Sequence, residues 1–206
     1  QLVRIQQVTN STRGAISGLN EEIRRLSTSL GASSSELVQV SVTLAQTGLS
    51  AREVQSAIKA IAQASLAPTF TDMRQTAEGA IAAFNQFGLA ATQLETVLDS
   101  INAVASRFAV EADDIIGAIQ RTGGVFAAAS KGVAQGTDAL NQFIAVFTSV
   151  RSTTRESSET IATGLKTIFT RLQRLDTITS LQDILGISLL NQGQFVGAYE
   201  AIERIS

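Results

Sequence analysis

Leu2, Ile5, Thr9, Thr12, Ile16, Leu19, Ile23, Leu26 and Leu30 recur at alternating intervals of three and four residues. That spacing keeps one edge of a helix in register. It cannot be drawn on a strand, whose side chains alternate with period two. Four heptads of it read as a coiled-coil-like helix over 1–32. Two Thr on the seam, with Gly14 and Gly18 beside it, weaken that reading. An amphipathic helix packed on its own domain fits the same spacing.

The remainder keeps the helical theme. Pro68 is the only proline, so only one position carries the ring and missing N–H that break helices. Ser33 with Glu36, Ser50 with Glu53, and Thr92 with Glu95 each set a hydroxyl acceptor three residues before a carboxylate, the pattern of a capping box. We expect helices near 34–47, 51–66, 72–87 and 92–107. An internal repeat runs through them: Gln46-Thr47-Gly48-Leu49-Ser50-Ala51 returns forty residues later as Gln86-Phe87-Gly88-Leu89-Ala90-Ala91. The pairs Val54/Leu94, Ala57/Val97, Ile58/Leu98 and Ile61/Ile101 hold the register. Two copies fall short of the roughly three a solenoid needs, so a compact duplicated bundle is expected.

In the second half, a helix over 111–122 should break or kink at Gly123-Gly124, followed by a short piece over 125–130 and helices near 138–150, 156–174 and 177–185. Ile187–Leu190 and Gln194–Val196 flank a Gly-containing turn and suggest a hairpin, with helix resuming at Ala198. The expected fold is all-α: a multi-helix bundle with a coiled-coil-like N-terminal helix and at most one small β-hairpin near 187–196. Three units are expected: 1–32, a core module over 33–175, and 176–206. The chain starts at Gln1 rather than Met and stops within a helix, so we expect a piece of a longer protein.

Chemistry is narrowed by what is missing. The chain has no His and no Cys. Cys/His zinc sites, disulfides, thiol nucleophiles and Ser–His–Asp triads are therefore excluded. Its 29 Ala, 21 Ser and 21 Thr, against 17% charged residues, describe a chain built for close helix packing. The stretch from Gly124 to Lys131 fails as a phosphate loop, because Ala129-Ser130 stand where Gly-Lys is required and no strand precedes it. Glu111, Asp113 and Asp114 could offer oxygen ligands, but acids in a first turn more simply complement the helix dipole. We therefore expect no enzymatic activity, no catalytic residues, no cofactor and no metal. No apolar run reaches the ~18 residues of a membrane span.

Charge is uneven. Residues 146–175 carry Arg151, Arg155, Lys166, Arg171 and Arg174 against two acids, and 176–206 carry four acids against Arg204. The five cations are candidate partner contacts. A solvated face paired with the acidic tail or with a neighbouring subunit fits the same run. The net charge of −2 and the lack of stacking aromatics argue against sequence-specific nucleic acid binding.

Several stretches carry a resemblance: Gly48-Leu49-Ser50-Ala51, Ala64-Ser65-Leu66-Ala67-Pro68-Thr69-Phe70, Arg107–Glu111, Arg121–Ala129, Phe147–Arg155, Phe195–Ile202 and Ser158–Arg174, above all its Glu159–Arg174 run. Together they resemble the core region of phage tail tape measure proteins, in the phage minor tail protein family, over about residues 44–204. The resemblance implies a multi-copy, mostly helical protein of the virion that fills the tail tube lumen. It implies that the protein sets tail length, is loaded by assembly chaperones in the host cytoplasm, and leaves ahead of the DNA. Implied partners are further copies of itself, a trimer being one option, tail tube and distal tail proteins, and the host membrane. The alternative function is a membrane-active, pore-forming segment that aids DNA passage through the host envelope.

Overall fold

The computed structural model describes residues 5–7 and 12–206. Leu2 and Thr9 of the heptad series lie outside the described residues. Thr12 is extended (φ −65°, ψ 155°) and its hydroxyl accepts from the Ala15 N–H, so helix α1 spans Arg13–Leu30 and closes on Gly31 at φ 71°. The series therefore changes backbone state at Thr12, where a hydroxyl at the seam serves as a cap. Leu19, Ile23 and Leu26 are buried, and α1 packs chiefly on α3 (Ala51–Ala64) of its own chain. Ile5, also fully buried, belongs to the same core.

The repeat folds as two helix pairs. Helix α2 (Ser34–Gln46) is capped by Ser33, and α3 has a complete capping box. In that box the Glu53 N–H donates to the Ser50 hydroxyl, and the Ser50 N–H donates to the Glu53 carboxylate at 2.8 Å. Helix α4 (Met73–Phe87) starts on Asp72, beyond the Pro68 turn, and stops at Gly88. Gly48 (φ 92°) and Gly88 (φ 68°) turn the chain into the next helix in both copies. The second copy differs in its cap. The Ala90 N–H donates to the Gln93 side chain, and a 3₁₀ turn over Ala91–Gln93 precedes α5 (Leu94–Phe108), so Thr92 and Glu95 do not form the expected box. Every repeat-related apolar pair is buried. Helix α2 packs on α4 and α3 on α5, so the copies share one core.

Helix α6 (Ala112–Ala118), a π-helical stretch over Ile119–Gly123, and α7 (Gly124–Ala129) form one continuous rod, not the expected break. Gly124 keeps helical angles (φ −63°, ψ −37°), and the extra residue is absorbed as a π-bulge. The rod lies between α4 and α9 (Ser158–Leu172). Gly79 of α4 and Gly123 of the rod mark close contact between the two: a Cβ at Gly79 would strike Ile116, and one at Gly123 would strike Gln86 and the Phe87 ring. Across the other side, the Thr122 hydroxyl donates to the Ala162 carbonyl of α9 at 2.7 Å.

Helix α8 (Gly136–Thr154) crosses behind. Phe87, Phe143, Phe126 and Phe169 form an unbroken aromatic chain through α4, α8, α7 and α9, with centroids 6.3, 5.6 and 5.0 Å apart. The last two pairs are edge-on, the favoured geometry.

Helix α10 (Leu175–Leu185) ends at Gly186. The expected hairpin follows, Leu190–Asn191 pairing antiparallel with Gln194–Phe195. Its turn residues Gln192 (φ 50°) and Gly193 (φ 80°) both sit at positive φ, the signature of the hairpin-favoured type I′ turn. Helix α11 (Ala198–Ile205) closes the described chain. A small second core of Leu172, Ile178, Leu189, Val196 and Ala201 holds this segment together. The fold is all-α with one two-stranded hairpin.

Candidate partner surface

The five candidate cations divide by location. Arg151 lies on α8 facing α6, where it pairs with Asp114 at 3.0 Å, both side chains about four-fifths buried. Arg155 ends α8 in the left-handed region (φ 59°) and donates to the carbonyl of Ala109, itself left-handed (φ 51°) as the cap of α5. These two arginines join α5, α6 and α8 to one another and are structural. The acids of the α6 first turn are similarly engaged: Asp114 with Arg151, and Asp113 with the N–H and hydroxyl of Thr71. Among the described residues no group of three or more His, Cys, Asp or Glu is gathered to hold a metal.

Lys166, Arg171 and Arg174 are exposed and form no ion pair among the described residues. They stand on or beside the outer face of α9. Its inner face is closed by Ile161, Ala162, Leu165, Phe169 and Leu172. The outer face between the cations is lined by threonines whose hydroxyls are already spent. Thr163 donates to the Glu159 carbonyl (2.8 Å), Thr167 to Thr163 (3.1 Å) and Thr170 to Lys166 (2.8 Å). A hydroxyl has one hydrogen to give, so this face presents methyls and lone pairs but no free hydroxyl donor.

Helix α10 is the feature that sequence reasoning missed. Of its residues only Ile178 is buried, while Leu175 is 77% exposed, Ile184 78% and Leu185 61%. The available signal was an excess of apolar positions, five in eleven residues, spread wider than one buried stripe. Asp176 and Asp183 are its only charges, and neither meets a cation among the described residues. On α11, Glu200 holds Arg204, and Glu203 bonds the Tyr199 phenol, raising its pKa above the usual value.

This is the surface of a helical protein with exposed charge and apolar residues on its flank. The sequence matches the model of the phage-related minor tail protein family over residues 20–206. The chain belongs to that family and is a structural component of the phage tail. No solved structure matches it.

Proposed function

We propose that this chain is a non-enzymatic module of a tail tape measure protein. It occupies the tail tube lumen, contributes to setting tail length during assembly, and leaves the tube ahead of the DNA. Copies of the chain associate with one another, and tube proteins, distal tail proteins and assembly chaperones are its neighbours. The observation that carries this reading is the match to the phage-related minor tail protein family over residues 20–206, on a chain that folds almost entirely as helix.

The test is tail length. Fully stretched as one helix, residues 34–206 would span about 260 Å at 1.5 Å per residue. Removing residues 34–206 in frame from the parent protein should change tail length measured by electron microscopy. A shortening near that span means the segment lies extended in the tube; a much smaller one means it stays folded there. Tails of unaltered length and infectivity would overturn the proposal.

The membrane reading has one supporting feature, the exposed apolar side of α10. No helix among the described residues is long and apolar enough to cross a membrane. An interfacial helix would instead need its apolar face in the headgroup layer. Leakage of anionic vesicles on adding the chain would favour it.

A further inference from the structure

Helix α10 carries exposed apolar residues and two acids, and α9 carries the cations Lys166 and Arg171 around a small-residue surface; none of these four charges is paired among the described residues. We propose that these are the two halves of one interface: the outer face of α10 seats on the outer face of α9 in a second copy of the chain. The inference rests on the self-association proposed above and locates it.

Three observations converge. The first is shape on α10. A groove of about 340 Å³ runs along Asp176, Thr177, Ser180, Leu181, Ile184 and Leu185, open to solvent and floored by aliphatic side chains. The second is shape on α9. Thr160, Gly164, Thr167 and Arg171 follow one another at intervals of four, three and four, one strip of the exposed side. Gly164 has no reason to be glycine within this chain, since a Cβ there would meet nothing within 4 Å. A helix accepts such a residue where another helix must come close, and Ile184 and Leu185 are of a size to fill the dip. The third is charge. Helix α10 holds Asp176 and Asp183, with Arg174 at its N-cap, whereas Lys166 and Arg171 of α9 have no anionic partner among the described residues. Within one chain these groups do not pair, although α9 and α10 are consecutive. Across two copies they would meet as opposite signs bordering an apolar centre, the arrangement of a specific interface. The exposed Ile168, 46% accessible, adds to the apolar centre on the α9 side. Because the two faces differ, each copy offers one of each, and the contacts build a reciprocal pair, a ring where the rotation closes, or a filament where it does not.

The experiment is the mass of the full chain by sedimentation equilibrium across a concentration series. The wild type should associate. Ile184→Asp with Leu185→Asp should give a monomer with an unchanged helical circular dichroism spectrum, since both side chains are exposed. Gly164→Leu should do the same from the α9 side while keeping or raising the melting temperature. Asp176→Lys with Asp183→Lys should weaken association about tenfold or more, as should Lys166→Asp with Arg171→Asp. Combining all four changes in one chain should restore it. A wild type that is monomeric at every concentration would overturn the proposal and leave α10 as a seat for a different tail component. Association that survives Gly164→Leu and both charge reversals would overturn the α9 seat. Either failure leaves the tail-length measurement intact, so the two readings fail separately.

Discussion

Glycine plays opposite roles at three helical positions. At Gly123 the space belongs to Gln86 and Phe87, and at Gly79 to Ile116. Neither Phe87 nor Ile116 can withdraw without disturbing the packed core, so Gly79→Ala and Gly123→Ala should each cost about 1–3 kcal/mol, the usual range for overpacking. At Gly164 nothing is displaced, and Ala should stabilise the isolated chain by roughly 0.5–1 kcal/mol through helix propensity. Urea unfolding of the three variants checks the sign at each site. A titratable group adds a pH signature at the same scale. The Glu53 carboxyl is held below its ordinary range by the Ser50 hydroxyl and then by the Ser50 N–H. A depressed carboxylate contributes stability that is present above its unfolded pKa and is lost as pH falls through its folded one. Glu53→Gln keeps an acceptor for the Ser50 N–H but cannot titrate. Its stability should therefore fall less steeply than that of the wild type as pH is lowered below the usual carboxylate range. Parallel pH–stability curves for the two proteins would refute the link.

At the scale of elements, what was legible followed from local chemistry. Hydroxyl caps started α2 and α3, positive-φ glycines ended the repeated helices, and Gln192-Gly193 set the hairpin turn. Two things were not legible. The Gly123-Gly124 pair was expected to break or kink the helix; the backbone stays helical there between α4 and α9, and the irregularity takes the form of a π-helical stretch. Arg151 and Arg155 looked like free cations because their partners, Asp114 and the Ala109 carbonyl, lie 37 and 46 residues away. Lys166, Arg171 and Arg174 stay exposed because they point away from the face of α9 that the rod covers. The Thr122–Ala162 hydrogen bond joins that rod to α9. Thr122→Val keeps the shape and removes the donor, so it should cost about 1 kcal/mol. Amide exchange should then speed up in α9 more than in α1. An unchanged midpoint would mean that the bond contributes nothing net.

For the whole molecule the question is what the N-terminal heptads are for. A helix that serves only to zip copies together can be removed without harming the module beside it. A helix that roofs its own core cannot. Leu19, Ile23 and Leu26 are at most 2% exposed, and all three belong to the main core together with Ile5. Burying a large aliphatic side chain is worth about 1.5–3 kcal/mol. Losing this set would thus consume much of the 5–15 kcal/mol that holds a typical domain together. Removing residues 1–32 should therefore strip the cover from α3 and lower the melting temperature sharply, or leave a chain that binds apolar dyes and unfolds without cooperativity. The C-terminal segment, held by its own small core around Leu189, should keep its slowest amides longer than α3 does. Mass alone cannot separate the two roles, because an uncovered α3 would itself drive aggregation. The melting curve can. A 33–206 chain that melts cooperatively at the wild-type temperature and differs only in mass would show that the heptads act between chains. A collapsed transition would show that they act within one.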